Sequence, residues 1–202
     1  MGAPPQLLEL LRTQIADERA LAAVAAVPRE LFVAPELRAQ AWENEPLPIG
    51  RGQTISQPLV VARMLECLRV APGDRVLDVG TGSGWHAALL GVLGGEVWTI
   101  ERHAELAETA VAALEAAGIG NVRVHVGDGR LGLPEAAPYD AINVAAAASA
   151  GVPPALIEQL APGGRLVAPV GDARQHLVAI DRAADGSLSE RRLEGVRFVP
   201  LV

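Results

Sequence analysis

The sequence predicts an α/β protein with a doubly wound, mostly parallel sheet. Short apolar strand patterns alternate with helical patterns between residues 59 and 170, and this alternation is typical of a parallel sheet with helices on both faces. The strand pattern at 76–79 runs into three alternate glycines and then a helical pattern at 85–93. A strand, a glycine loop and a helix in this order are typical of a Rossmann-like fold.

The length of 202 residues fits one domain of ordinary size. We expect a single domain over 1–202, in which residues 1–57 hold the N-terminal helices and the segment where substrate enters, and residues 58–202 form a cofactor-binding α/β core. Half of the residues are hydrophobic, yet no apolar run reaches the roughly 18 residues of a membrane helix. Residues 1–5 lack the regions of a secretory signal. We expect a soluble, cytoplasmic monomer that does not bind membranes.

The net charge and the potential metal ligands, cysteine and histidine, argue against several classes of function and site. The net charge of −7 gives no basic footprint for nucleic acid, so a nucleic-acid substrate is disfavoured. Cys67 is the only cysteine in the sequence, which excludes an internal disulfide and a thiolate-rich metal site. The four histidines lie in different predicted elements without metal-ligand spacing, so we expect no bound metal.

The N-terminal region combines helical patterns with an irregular segment. Apolar residues recur at near-helical spacing between residues 7 and 24, which predicts one or two amphipathic helices that cover an edge of the sheet. Residues 42–58 are dense in proline and glycine, and a long irregular segment in a compact domain is usually functional. A helix at 59–68 follows Pro58. Ser56 stands just before it, where an N-cap role is one alternative.

The glycines at 80, 82 and 84 end the first core strand at the start of the next helix. Unpaired backbone N–H groups and the helix dipole can bind a polar ligand there. The spacing differs from the dinucleotide fingerprint G-x-G-x-x-G, because Trp85 occupies the place of its third glycine. A tight turn without a ligand is the alternative.

A second strand pattern, Val97 to Ile100, ends in Glu101 roughly 20 residues beyond the loop. At this position of a β-α-β unit an acidic side chain can accept hydrogen bonds from both hydroxyls of a ribose. The alternative is a solvated carboxylate paired with Arg102. Further strands are predicted at 122–126, 139–144 and 165–170, and helices at 104–117 and 154–160.

The C-terminal end changes character. Residues 176–182 and 191–201 show strand patterns separated by a turn at Asp185-Gly186, without a helix between them. We therefore expect an antiparallel strand pair at one edge of the sheet.

Several motifs resemble the protein-L-isoaspartate O-methyltransferase family over nearly the whole chain. The loop L-D-V-G-T-G-S-G at 77–84 resembles motif I of S-adenosylmethionine-dependent methyltransferases in general. The segments G-Q-T-I-S-Q-P at 52–58 and V-R-F-V-P-L at 196–201 are more specific to this family. The other similar segments are V-P-R-E-L-F-V at 27–33, P-L-P-I-G-R at 46–51, G-D-G-R-L-G at 127–132, A-P-Y-D-A-I at 137–142 and Q-L-A-P-G-G-R-L-V-A-P-V-G at 159–171.

This resemblance implies a methyltransferase fold and a repair activity. Such an enzyme moves a methyl group from S-adenosylmethionine to the free carboxylate of an L-isoaspartyl residue in a damaged protein or peptide and releases S-adenosylhomocysteine. The ester then collapses to a succinimide, part of which hydrolyses to aspartate. Two alternatives stay open: a relative that methylates a normal aspartate of one dedicated peptide, and a cofactor-binding homologue without catalysis.

The resemblance also implies site residues. It places Ser56 in the catalytic site, as a hydroxyl that orients the substrate carboxylate. It assigns the cofactor to Asp78, Gly80, Thr81, Gly82, Ser83, Gly84, Glu101, Arg102, Asp128 and Gly129. It assigns the substrate to Thr54, Ile55, Ser56, Gln57, Arg197 and Val199. From the residues alone, Asp128-Gly129 fits a simple turn equally well, and Arg197 fits an ordinary edge strand.

Two positions depart from the family pattern. Trp42 and Glu43 stand where many members have a Tyr-x-Asp-type pair, which leaves the contacts of this segment open. Ala145 follows the strand at 139–144 where many bacterial members place threonine, so a hydroxyl contact there is not expected.

Overall fold

The computed structural model of the protein describes residues 2–202. The helices are α1 (Pro5–Arg12), α2 (Glu18–Ala26), α3 (Pro58–Leu68), α4 (Trp85–Leu93), α5 (Ala104–Ala116) and α6 (Pro154–Glu158). The strands are β1 (Leu47–Gly50), β2 (Gln53–Ile55), β3 (Arg75–Val79), β4 (Glu96–Glu101), β5 (Val122–Val126), β6 (Tyr139–Val144), β7 (Leu160–Val170), β8 (Gln175–Arg182) and β9 (Leu188–Val196). Short 3₁₀ turns occupy residues 29–32, 35–40, 129–131 and 134–136.

Seven strands form the main sheet, in the order β5-β4-β3-β6-β7-β8-β9. The pairs from β5 to β7 are parallel, whereas β8 runs antiparallel to both β7 and β9. The predicted α/β class with an antiparallel pair at one edge is confirmed. Because β3 lies between β4 and β6, its carboxyl end is at the switch point of the sheet, where open α/β folds bind ligands.

The central strand is buried on both faces. Val76 packs into one hydrophobic core with residues of α2, α3 and α4, whereas Leu77 and Val79 pack into a second core on the opposite face. Side chains of a strand alternate between its two faces, so both faces must be apolar when both are covered. This explains the short continuous apolar run in the sequence.

The two N-terminal helices form an outer layer on one side of the sheet. α2 packs against α3 and α4 and buries Leu21 and Val24 in the core that it shares with them. The expectation that these helices cover an edge of the sheet is therefore wrong, because their apolar surface faces other helices. Within residues 2–202, no helix combines the length and apolar character needed to cross a membrane.

The segment expected to be irregular contains a short hairpin. β1 and β2 pair antiparallel, with Pro48 opposite Thr54. The turn between them has positive φ at residues 50–52, two of which are glycine and adopt this conformation without strain. The hairpin brings Thr54 toward the loop after β3, since the side chain of Ile49 lies against Gly82.

Several predicted boundaries need correction. The strand predicted at 165–170 already begins at Leu160, and the helix predicted at 154–160 ends at Glu158. α3 begins at Pro58 with Gln57 as its N-cap and no capping side chain, so the N-cap alternative for Ser56 is wrong. The last strand ends at Val196 instead of continuing to residue 201. Beyond it, the backbone of Ala147 pairs with Val199 and Leu201 through two hydrogen bonds of 2.8 Å. The final residues therefore lie beside the loop that follows β6.

Candidate active site

The glycine loop lies between β3 and α4. Gly80, Gly82 and Gly84 all have positive φ, which residues with a Cβ atom rarely adopt. Four loop amides donate within the protein: those of Gly80 and Thr81 to the carbonyl of Ile100, that of Gly82 to Glu101 and that of Gly84 to the carbonyl of Thr81. The expectation that the loop amides receive a ligand is corrected for these four, because they hold the shape of the loop itself.

Glu101 ends β4 beside this loop. Its Oε2 accepts from the backbone N–H of Gly82 at 2.9 Å, and its Oε1 accepts from that of His103 at 3.0 Å. Only 5% of the residue is exposed, so the alternative of a solvated carboxylate is wrong. Each carboxylate oxygen keeps a further lone pair for a ligand. The geometry therefore supports the predicted ribose contact.

A buried polar network lies beneath the loop. The carboxylate of Asp78 accepts from Thr99 Oγ1 at 2.8 Å and from Asn143 Nδ2 at 2.7 Å. Burial raises the pKa of Asp78 to about 6, although the two hydrogen bonds oppose this shift. Asn143 Nδ2 also lies 3.2 Å from His86 Nδ1, and burial lowers the pKa of His86 to about 3. The assignment of Asp78 to the cofactor is corrected, because this fully buried side chain supports the loop from below.

Two cavities adjoin the loop. The loop cavity brings together the predicted cofactor residues Gly80, Gly82, Glu101, Arg102 and Gly129. The inner cavity is smaller and is lined by Thr81 and Ser83 together with Ser56. Gly84 has a packing role, since a Cβ atom there would lie 3.2 Å from the Cβ of Ala110 in α5.

Asp128 and Gly129 form a capped turn at the loop cavity. A Cβ atom on Gly129 would lie 2.5 Å from Val79 Cγ1, so this wall requires glycine. The Asp128 carboxylate accepts from Arg130 Nη2 at 2.7 Å and from the Arg130 backbone N–H at 2.9 Å, and these bonds lower its pKa. The simple turn is therefore present, and a contact of Asp128 with the cofactor stays a prediction.

A groove of about 890 Å³ adjoins the two cavities. It is lined by the predicted substrate residues Thr54, Ser56, Gln57, Arg197 and Val199. Ile55 lines the inner cavity instead. Thr54 and Ala145 line the groove and both cavities, and we call these two side chains the partition. The structure thus brings the predicted substrate and cofactor residues together around adjoining spaces that share Thr54 and Ala145.

Arg29 is fully buried and organises the segment that leads to Ser56. Its guanidinium donates to the backbone carbonyls of Ala41, Glu43, Glu45 and Ser56. Its Cζ lies 5.1 Å from the ring centre of Trp85, within reach of a cation–π interaction. Burial lowers the pKa of Arg29 to about 10, so the side chain stays charged at neutral pH. Sequence reasoning missed this residue; the signal was a single basic residue among the apolar residues of V-P-R-E-L-F-V.

The two departures from the family pattern both lie close to the site. Trp42 packs edge-on against Trp85, with ring centres 6.4 Å apart, and so supports the start of α4. The backbone N–H of Ala145 donates to the carbonyl of Val79 at 2.7 Å. This bond holds residue 145 next to the glycine loop, where its methyl group faces Gly80.

Comparison with known proteins assigns the family. The sequence matches the family described as protein-L-isoaspartate(D-aspartate) O-methyltransferase over residues 5–202. The chain belongs to this family. A protein-L-isoaspartate O-methyltransferase of Koribacter versatilis is 51% identical over 194 residues, covering 96% of this chain and 87% of the relative. One of Anaeromyxobacter dehalogenans is 54% identical over 190 residues, covering 93% and 90%. The resemblance of the motifs to this family is confirmed.

The methyltransferase fold is confirmed by a solved structure of the same kind. A Plasmodium falciparum protein described as a protein-L-isoaspartate O-methyltransferase in complex with S-adenosyl-L-homocysteine matches with a TM-score of 0.84. It is 26% identical, and the match covers 98% of this chain and 97% of that one. Across the described part of our chain, residues 2–202, no group of three or more potential metal ligands is present.

Proposed function

We propose that this member of the family is a repair methyltransferase. It moves a methyl group from S-adenosylmethionine to the free carboxylate of L-isoaspartyl residues in damaged proteins and peptides, giving an ester that collapses to a succinimide. Relatives of that name, more than half identical over nearly the full chain, support the activity. The observation that carries the proposal is that the groove and the loop cavity adjoin at the partition, since Thr54 and Ala145 line both. Substrate in the groove and cofactor in the loop cavity would therefore lie next to each other.

The chemistry requires little acid–base assistance from the protein. A substrate carboxylate has an ordinary pKa of about 4 and is ionised at neutral pH, so no general base is needed to form the nucleophile. Transfer depends on alignment of the attacking oxygen with the methyl group and on exclusion of water. Positioning of this kind can supply roughly 7 to 11 kcal/mol in favourable cases.

Ser56 is the residue best placed to provide this alignment. It lines both the groove and the inner cavity, and Arg29 holds its backbone carbonyl. A hydrogen bond from its hydroxyl to one oxygen of the substrate carboxylate leaves the other oxygen to face the partition. Ser56 acts as an orienting donor and forms no covalent bond.

The residues around the loop cavity fit S-adenosylmethionine. When bound, this cofactor supplies a methyl group activated by a positively charged sulfur. Glu101 accepts hydrogen bonds from the ribose hydroxyls. It uses the lone pairs that are not already occupied by the N–H groups of Gly82 and His103. Gly129 forms the part of the cavity wall beside Val79, where a Cβ atom would clash with the Val79 side chain. Asp128 accepts a hydrogen bond from the adenine amine.

The proposal includes one catalytic domain over residues 1–202, a monomeric state and a cytoplasmic location. The net charge of −7 favours protein substrates over nucleic acid. Size-exclusion chromatography with light scattering tests the monomer, and a mass near 42 kDa in place of the 21.0 kDa chain mass would contradict it.

Incubation with radiolabelled S-adenosylmethionine and matched isoaspartyl and aspartyl peptides tests the activity. We expect label on the isoaspartyl peptide alone. Preference for the aspartyl peptide would instead identify an enzyme with one dedicated substrate, and cofactor binding without transfer would identify a silent homologue.

A further inference from the structure

His86 is the second residue of α4 and has a defined tautomer. Its Nδ1 lies 3.2 Å from Asn143 Nδ2, which also donates to the Asp78 carboxylate at 2.7 Å. An ionised carboxylate only accepts hydrogen bonds, so the amide nitrogen of Asn143 must face Asp78. The same nitrogen then offers its second hydrogen to His86 Nδ1. Because Nδ1 accepts, the proton of the neutral imidazole is on Nε2.

This Nε2–H has no hydrogen-bond partner among residues 2–202. His86 is only 7% exposed, so bulk water does not satisfy the group. A buried donor without a partner destabilises the folded protein, and native structures keep such groups where a ligand or an ordered water completes them. His86 lines the inner cavity together with Ser56 and Ser83. The missing acceptor is therefore expected at this end of the glycine loop.

The glycine loop leaves a carboxylate with few other donors. The amides of Gly80, Thr81, Gly82 and Gly84 already donate within the protein. An anionic group lodged at this loop is therefore left with the amide of Ser83 and with side-chain donors, and His86 is nine-tenths buried beside it. A hydrogen bond from a neutral imidazole would satisfy the carboxylate without adding a positive charge next to a sulfonium.

We infer that His86 binds the α-carboxylate of the methionine part of S-adenosylmethionine through its Nε2–H. This inference rests on the proposed function, and it gives a binding role to a side chain that the motif comparison left without one. Asn143 acts as a positioning residue that fixes the imidazole tautomer, and Asp78 fixes the orientation of Asn143.

Two other acceptors could receive the hydrogen bond from the Nε2–H of His86. The substrate carboxylate is one, because Ser56 shares the inner cavity. An ordered water is the other, since the cavity of about 30 Å³ has room for one. The test must therefore separate the cofactor carboxylate from both.

Calorimetry with two ligands makes this separation. S-adenosylhomocysteine carries the amino-acid carboxylate, whereas 5′-methylthioadenosine keeps the nucleoside and the sulfur but lacks it. We expect His86→Leu to weaken S-adenosylhomocysteine binding about 10- to 100-fold, as for other hydrogen bonds to charged groups, and to leave methylthioadenosine binding unchanged. His86→Gln retains an N–H donor and should recover part of the affinity.

The other outcomes overturn the inference. If His86→Leu weakens the binding of both ligands equally, or of neither, His86 has only a packing role or donates to a water. A raised KM for the isoaspartyl peptide with unchanged S-adenosylhomocysteine affinity would assign it to the substrate. If the unmutated protein binds neither ligand, the proposed function itself fails, which is a different result from a silent His86→Leu.

A second measurement avoids the risk that His86→Leu does not fold. In the unmutated protein labelled with ¹⁵N-histidine, the ring nitrogen shifts should show a neutral His86 with its proton on Nε2. That proton signal should move downfield when S-adenosylhomocysteine is added and should not move with methylthioadenosine. A proton on Nδ1, or the same movement with both ligands, contradicts the inference.

Discussion

The Nη2 atom of Arg29 donates a hydrogen bond of 3.0 Å to the carbonyl oxygen of Ser56. The same guanidinium also donates to backbone carbonyls within residues 41–45, so one buried cation sets the shape of the segment that leads to the groove. We expect Arg29→Ala to lower the free energy of unfolding by on the order of 3 kcal/mol, because several carbonyls lose their donor. Urea unfolding measures this change.

Two variants serve as controls for Arg29. Arg29→Lys keeps the charge but cannot reproduce the planar fork of donors, so it should recover only part of the loss. Arg38→Ala removes an exposed arginine from the following 3₁₀ turn and should change stability by less than about 0.5 kcal/mol. A loss for Arg29→Ala no larger than that for Arg38→Ala would show that Arg29 does not organise the segment.

Ser56→Ala should separate catalysis from stability. Because Ser56 does not cap α3, its hydroxyl contributes no cap, and the melting temperature should stay within about 2 °C. Loss of a hydrogen bond to the substrate carboxylate should lower turnover about 10- to 100-fold with unchanged S-adenosylhomocysteine affinity. Ser189→Ala, an exposed serine on β9, is the control. Near-normal turnover in Ser56→Ala would remove Ser56 from the mechanism.

Glu101→Gln should weaken cofactor binding. The amide keeps only one acceptor oxygen, while the carboxylate serves Gly82, His103 and, as we propose, the ribose. We expect the dissociation constant of S-adenosylhomocysteine, measured by calorimetry, to rise about 10- to 100-fold. Glu108→Gln removes a similar charge from the exposed side of α5 and should have no effect. Equal affinities of the two variants would refute the ribose contact.

Gly129→Ala should disturb the wall of the loop cavity. The new methyl group would meet Val79 Cγ1 at 2.5 Å, and Val79 itself lines this cavity. Overpacking of this kind costs about 1 to 3 kcal/mol and should also reduce S-adenosylhomocysteine affinity. Gly120→Ala is the matched control, because no atom lies within 4 Å of its added Cβ. The prediction fails if the two alanine variants melt and bind alike.

Asp78 should make stability depend on pH. Burial raises its pKa in the folded protein to about 6 from the ordinary 3.8, so folding favours the protonated form. The contribution of Asp78 to stability is therefore fully present below about pH 4 and is lost as the pH rises through about 6. This loss is on the order of 3 kcal/mol for a shift of about two pKa units.

A comparison with Asp78→Asn isolates this contribution. The unfolding free energy of the unmutated protein minus that of the variant should fall between about pH 4 and pH 7 and stay level above pH 7. Denaturant unfolding across this range measures the difference. A difference that is flat, or that grows with pH, would contradict the raised pKa.

Local patterns predict the centre of the fold well. The strand, loop and helix from Arg75 to Leu93 and the strands β5 and β6 lie where the apolar patterns place them. Their positions depend on short-range features, namely a doubly buried strand and glycines that permit positive φ. The pairing of Glu101 with the loop also follows from sequence, because the β-α-β unit fixes the spacing between the two.

Features set by tertiary contacts were harder to predict. The β1–β2 hairpin is too short to show a period, although the glycines flanking Arg51 were a turn signal. The N-cap of α3 differs from the expected residue by one position, which is the usual uncertainty of helix ends. The carbonyl contacts of Arg29 and the route of the chain after Val196 join residues far apart in sequence, and no local pattern encodes them.

The partition between Thr54 and Ala145 is built from two short side chains. In the proposed reaction a single carbon atom moves from the cofactor in the loop cavity to the substrate in the groove. Ala145 borders the groove and both cavities, so a larger side chain at this position would narrow all three at once.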